Sequence, residues 1–310
     1  MSATTNTLAV IIPVYNEGKA IRKNFTEIYH IVQEDKIPCR FLLIDDGSKD
    51  NTWQEIGDLS ESFEGVEALR FARNFGKEVA LCAGIDYMEA DRYLIMDSDL
   101  QHPPRFIKPM LELMDREQAD IVNGIKKSRG RESLLYKAAA KSFYNLLKSS
   151  AGLDMQSSSD FKLMNRKVID NLRRFTERNI FFRGLVDWVG FKNVAFYFEV
   201  DERANGTSRF SALGLFKLAF NAILSYTSKP LFLTVFAGLI FLIFAVILGI
   251  QTLYNYFSGR AVSGFSTVIL LLLFIGSFIM LSIGIIGAYI SRIFDEVKGR
   301  PRYIVSEHIK

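Results

Sequence analysis

The chain has 310 residues, enough for one α/β domain with an appendage, since single domains run to roughly 100–200 residues. Its formal charge of +4 is too small to mark a nucleic-acid binder, and its two cysteines, Cys39 and Cys82, stand at no metal-ligand spacing and exclude a disulfide framework. Charged residues are mixed evenly up to about Thr227, whereas two long runs beyond Pro230 carry almost none.

In chain order, apolar runs of strand length at 8–14, 41–44, 66–71, 93–96 and 121–123 alternate with amphipathic stretches of helical length starting near Glu17, Asn51, Gly76 and Pro104. Short buried strands separated by helices predict βαβ units, hence an α/β domain with a mostly parallel sheet covered on both faces. The first run is too short for the core of a signal peptide and lacks a basic segment before it, so the first domain is expected in the cytosol. Ligands bind such sheets outside the carboxyl ends of the strands. Polar motifs stand at those ends: Tyr15-Asn16-Glu17 after the first run, Asp45-Asp46-Gly47-Ser48 after the second, Arg73-Asn74 after the third and Asp97-Ser98-Asp99 after the fourth.

Further along, residues 133–149 and 210–226 place apolar side chains at near-helical spacing with lysines among them, including Lys137, Lys141 and Lys217. Such helices lie in a membrane interface or pack on their own domain; the second adjoins the apolar runs, which favours the interface. The cluster Lys126, Lys127, Arg129 and Arg131 suits an anionic membrane surface or a phosphate, or else a solvated face. Runs 231–257 and 265–290 both exceed the roughly 20 residues needed to cross a hydrocarbon core and predict two tilted spans. Their connecting loop carries only Arg260, while the flanks hold Lys229, Arg292, Lys298, Arg300 and Arg302, so both ends are expected in the cytoplasm. Gly276, Gly284 and Gly287 permit close helix packing in the second span.

Two carboxylates one residue apart at a strand end, Asp97 and Asp99, point onto one hard cation such as Mg2+ or Mn2+, which keeps positions open for diphosphate oxygens; Gln101 is placed to add a neutral oxygen. Alone, Asp-x-Asp marks a turn, and Asp46-Gly47-Ser48 reads as a turn with a helix cap.

Six motifs in order carry a resemblance. They are Ile12-Pro13-Val14-Tyr15-Asn16-Glu17, Asp45 to Ser48, Arg73-Asn74-Phe75-Gly76-Lys77, Asp97 to Pro104, Asp160-Phe161-Lys162-Leu163-Met164, and Arg203 to Arg209. With the two spans and the closing Glu296-Val297-Lys298-Gly299-Arg300-Pro301, the chain resembles family 2 glycosyltransferases of the polyprenyl-phosphate type, such as dolichol-phosphate mannose synthases and bacterial undecaprenyl-phosphate glucosyl- or N-acetylglucosaminyltransferases. The resemblance implies a GT-A domain over 1–208, a juxtamembrane amphipathic helix over 209–228, two transmembrane helices over 229–292 and a cytoplasmic tail over 293–310.

It further implies that Pro13, Tyr15, Glu17, Asp46, Lys77, Asp97 and Ser98 bind the nucleotide-sugar donor, and that Asp97, Asp99 and Gln101 bind Mg2+ or Mn2+. Lys126, Lys137, Arg203 and Arg209 would receive the acceptor phosphate, the two arginines because guanidinium forks bind phosphate oxygens in pairs. Asp99, Asp160, Arg203 and Arg209 are the implied catalytic set. Asp160 stands where relatives have an acidic base or positioning group; the alternative is a carboxylate holding Lys162 or Arg166. The implied reaction is an inverting transfer of a hexose or N-acetylhexosamine from a UDP-sugar to undecaprenyl phosphate on the cytoplasmic face of the plasma membrane, for cell-envelope glycosylation. The implied partners are the lipid, a homotetramer and a separate flippase, with no nucleic acid. Two other readings stay open: use of GDP-mannose, and a non-catalytic nucleotide-binding membrane scaffold. A processive polysaccharide synthase is excluded, because the chain has no Gln-x-x-Arg-Trp motif and too few spans for a channel.

Overall fold

The computed structural model describes residues 7–126, 159–178, 180–199, 229–259 and 264–310. They fall into two units: the chain up to Arg209 together with Arg300–Lys310, and Phe210–Gly299.

In the first unit, β1 (Leu8–Val14) is buried at every position because both of its faces are covered. Leu8, Val10, Ile12 and Val14 enter one core, and Ala9 and Ile11 the other. α1 (Ile21–Glu34) lays Ile21, Phe25, Ile28 and Val32 along one stripe into the first core. β2 (Cys39–Asp45), α2 (Thr52–Ser62), β3 (Val66–Phe71), α3 (Lys77–Tyr87) and β4 (Arg92–Ile95) continue the alternation. A 3-10 turn at Pro104–Phe106 leads into α4 (Ile107–Glu117) and β5 (Ile121–Lys126). After β6 (Lys162–Asn165) come α5 (Arg166–Leu172), α6 (Phe182–Trp188) and β7 (Asn193–Phe198), and β8 (Val305–Ile309) lies near the C-terminus.

These strands form one eight-stranded sheet in the order β7-β5-β6-β4-β1-β2-β3-β8. β4, β1, β2 and β3 are mutually parallel, as are β5 and β7; β6 runs antiparallel to β4 and β5, and β8 antiparallel to β3. α1, α2 and α4 cover one face, and α3, α5 and α6 the other. The sheet is mostly parallel, as expected, and it gathers the carboxyl ends of β1, β2 and β4 on one edge.

The second unit holds α7 (Lys229–Phe257) and α8 (Phe265–Val297). At about 1.5 Å per residue both are longer than a hydrocarbon core of about 30 Å. Thr234–Asn255 and Phe274–Val297 are apolar enough to cross a membrane, and apolar side chains such as Phe236, Leu242 and Ile283 point outward. Phe241 of α7 meets Phe278 of α8 with ring centroids 4.8 Å apart.

Several expected boundaries move. The first helix begins at Ile21, not near Glu17, because the Glu17 carbonyl first accepts the Ala20 and Ile21 N–H groups in a turn. The second apolar helix runs on to Val297, past the expected end at residue 290. β6, β7 and β8 were not foreseen, and β8 makes the end of the supposed tail part of the sheet. The amphipathic stretches 133–149 and 210–226 lie outside the described residues.

Candidate donor and transfer site

The turn after β2 is built around two buried acids. The Asp45 side chain accepts from Ser48 N at 2.9 Å, closing the turn, and Gly47 holds φ at +68° where an added Cβ would stand 2.4 Å from the Arg73 backbone. Asp46 is turned the other way and accepts from Phe75 N at 2.7 Å and Gly76 N at 2.9 Å. Burial raises its carboxyl, and those two N–H groups pull it back. The turn after β1 is tied to this one, since Ser48 Oγ accepts from Asn16 N at 2.8 Å and Thr52 Oγ1 from Glu17 N at 2.9 Å. Glu17 reaches across to β4, its carboxylate accepting from Ser98 Oγ at 2.6 Å; burial raises this acid, and Asp99 and Asp97 add to the effect.

Around these turns lies a cavity of about 280 Å3 lined by Pro13, Val14, Tyr15, Glu17, Asp46, Asn74, Gly76, Lys77, Asp97, Ser98 and Asp99. All seven expected donor residues are thus brought together, joined by Val14, Asn74 and Gly76, which the sequence reading left without a pocket role. Gly76, at φ +101°, precedes α3 and points that helix's first turn at the cavity.

At the end of β4, Asp97 and Asp99 face this one cavity with hard anionic oxygens, a donor set that suits Mg2+ or Mn2+. Among the described residues no three His, Cys, Asp or Glu side chains gather to hold a metal unaided, so further positions would fall to an amide or to ligand oxygens. Gln101 braces Asp99: its Nε2 donates to Asp99 Oδ2 at 2.7 Å, while its Oε1 accepts from Lys126 Nζ at 3.1 Å. His102 holds the other carboxylate's backbone, because its Nδ1 accepts from Asp97 N at 3.0 Å while its ring stacks on Phe161 at 5.0 Å. Burial lowers the His102 imidazole, and with Nδ1 accepting, the neutral ring carries its proton on Nε2.

Asp160 meets neither of the partners expected for it. Lys77 Nζ donates to Asp160 Oδ2 at 2.7 Å and to Asp97 Oδ1 at 2.6 Å. Arg183 of α6 grips Asp160 with both arms, Nε to Oδ1 at 2.5 Å and Nη2 to Oδ2 at 2.7 Å. Burial alone would raise the Asp160 carboxyl, but Arg183 and Lys77 outweigh it and hold it well below the usual carboxylate range. Lys162 instead lies 3.1 Å from Asn123 Oδ1, and Arg166 pairs with Glu89 at 3.0 Å. Arg183 was missed because it lies on another element with no local motif. Lys137, Arg203 and Arg209 lie outside the described residues.

Residues 9–173 match the model of Glycosyl transferase family 2. The uncharacterized glycosyltransferase YkcC of Bacillus subtilis is 34% identical over 305 residues, covering 96% of this chain and 93% of its own. The prophage bactoprenol glucosyl transferase homolog of Escherichia coli is 33% identical over 300 residues, covering 96% and 98%. Among solved structures, glucosyl-3-phosphoglycerate synthase from Mycobacterium tuberculosis, crystallised with Mn2+, UDP-glucose and phosphoglyceric acid, overlays with a TM-score of 0.48 at 17% identity, over 71% of this chain and 78% of that one. Since the family model spans more than half of the chain and the relatives run with it almost end to end, the protein belongs to glycosyl transferase family 2.

Proposed function

We propose that the protein transfers a sugar from a nucleoside diphosphate donor, a UDP-sugar, to a polyprenyl phosphate at the cytoplasmic face of a membrane. The observation that carries the reading is the single cavity in which Asp46, Lys77, Asp97 and Asp99 converge. An acid on the nucleotide side, a cation and a carboxylate pair at the phosphate side match the charge order of such a donor. A bound Mg2+ or Mn2+ would neutralise charge on the departing diphosphate. The lipid acceptor is supported by relatives named bactoprenol glucosyl transferase and by two helices long and apolar enough to cross a membrane.

The proposed step is an in-line displacement at the anomeric carbon by a phosphate oxygen of the lipid, inverting configuration. A phosphate monoester has its second pKa near 6, so the nucleophile is already largely a dianion at neutral pH. Asp160, held ionised by Arg183 and Lys77, is assigned a positioning role: it fixes two cations beside Asp97 and is too weak a base to be needed. Lys126, Lys137, Arg203 and Arg209 remain the proposed acceptor cations. Both flanks of the apolar unit belong to the unit that holds the sheet, which supports an even number of crossings, here two. Two spans offer no path for a sugar head, so a separate flippase is assigned.

The test incubates detergent-purified protein with undecaprenyl phosphate, Mg2+ or Mn2+ and a panel of UDP- and GDP-sugars, following lipid-linked product. One UDP-sugar is transferred only when lipid and metal are both present, and Asp99→Asn abolishes it. Asp160→Asn lowers kcat by about 100-fold or more at every pH from 6 to 9. No turnover with any donor sinks the enzyme reading, and recovery of Asp160→Asn as pH rises would restore the base assignment.

A further inference from the structure

Beyond the segment matched by the family model, the chain returns to the sheet as β8, and one side chain of that strand, Glu307, is linked through Arg70 to the turn that presents Asp46. β8 runs antiparallel to β3, with Glu307 opposite Arg70. The Glu307 carboxylate accepts from Arg70 Nη1 at 2.6 Å and from Trp53 Nε1 at 3.0 Å, and the Arg70 guanidinium lies 5.7 Å from the Trp53 ring centroid. Arg70 Nε then stands 3.4 Å from Asp45 Oδ2. Asp45 is fully buried, and among the described residues that oxygen has no hydrogen-bond partner; burial raises the carboxyl, and the Arg70 charge, after the Ser48 hydrogen bonds, pulls it back. The same side chain accepts the Ser48 N–H that closes the turn. A long arginine side chain is costly to hold in one rotamer, and Glu307 with Trp53 supplies the hold.

We infer that Glu307 of the C-terminal strand is a positioning residue for the donor pocket, acting through Arg70 and Asp45 on the turn that carries Asp46. The inference rests on the donor reading of the cavity. The strand itself does not hang on this one carboxylate. Tyr303 stacks on Phe71 with centroids 5.2 Å apart, and Ser306 Oγ donates to the Arg70 carbonyl at 3.1 Å, so removing the Glu307 side chain leaves β8 paired.

The experiment compares the full-length protein with Glu307→Ala, Asp45→Asn and the double variant by amide hydrogen exchange and by titration with UDP and Mg2+. In Glu307→Ala, exchange at Ser48, Phe75 and Gly76 quickens and the UDP Kd rises, each by about three- to tenfold, while thermal unfolding stays cooperative. In the Asp45→Asn background, Glu307→Ala adds nothing, because the buried charge that Arg70 answers is gone. Wild-type exchange and Kd in Glu307→Ala overturn the inference, as does an undiminished effect in the Asp45→Asn background. Faster exchange with no UDP bound by any form, wild type included, supports the link from Glu307 to the turn and overturns the donor reading instead.

Discussion

Lys162 lies on β6 with no exposed surface, its ammonium 3.1 Å from Asn123 Oδ1 and 4.0 Å from Asp187 Oδ1. Burial pushes it down to about 8, against the attraction of Asp187 and with Arg183 adding to the fall. Between pH 8 and the ordinary value of 10.5, the unfolded chain keeps a proton that the folded chain has shed, so stability rises with pH across that window. Below pH 8 both states are protonated, and the cost of burying the charge is constant. The wild type should therefore gain on Lys162→Met by up to roughly 3 kcal/mol as pH climbs from 8 to 10.5, read from denaturant unfolding in detergent. A difference that stays flat over this range would mean that the ammonium is solvated. Lys162 is adjacent in sequence to Phe161 and near Asp160, yet each of these does something different: the acid grips Lys77 and Arg183, the ring stacks on His102, and the lysine is sealed in the core.

At the level of elements, α3 decides how the cavity is closed, because its first turn brings Gly76 and Lys77 to the cavity wall. It lies close on the sheet through Gly84, where an added Cβ would stand 2.4 Å from Ile11 Cγ2 and 2.9 Å from Ile44 Cδ1. Gly84→Leu should lift the helix, cost about 1–3 kcal/mol and weaken UDP binding, measured by thermal unfolding and titration. Unchanged values for both would show that the sheet yields locally and the first turn is held by other contacts. β1 to β5 and the motifs at their ends were legible in the sequence because parallel strands buried on both faces leave unbroken apolar runs with polar residues at their carboxyl ends. β7 carried an alternation, with Val194, Phe196 and Phe198 turned to one core, that a period-two reading could have found. The Arg183 grip on Asp160 was not legible, since an ion pair between elements leaves no spacing signal. β8 was hidden by its place after two apolar spans, where a five-residue polar segment reads as a tail.

For the molecule as a whole, the two-crossing reading makes a prediction about sides. Ser258, in the connection between α7 and α8, and Lys310, after β8, should lie on opposite sides of the membrane. Ser258→Cys should react with a membrane-impermeant maleimide in right-side-out vesicles, and Lys310→Cys only after the vesicles are opened; native Cys82 is buried, and an unsubstituted control accounts for Cys39. Equal reaction of both before opening would rule out two crossings. The place of β8 also fixes an order in time. Phe210–Gly299 must all be synthesised before the strand that covers the β3 edge exists, and at roughly 5–20 residues per second the sheet waits on the order of 5–20 s with that edge unpaired. A chain that stalls or is cut within the apolar helices therefore keeps an open sheet edge, a surface on which other strands can add, so the finished apolar helices and the sealed sheet arrive together.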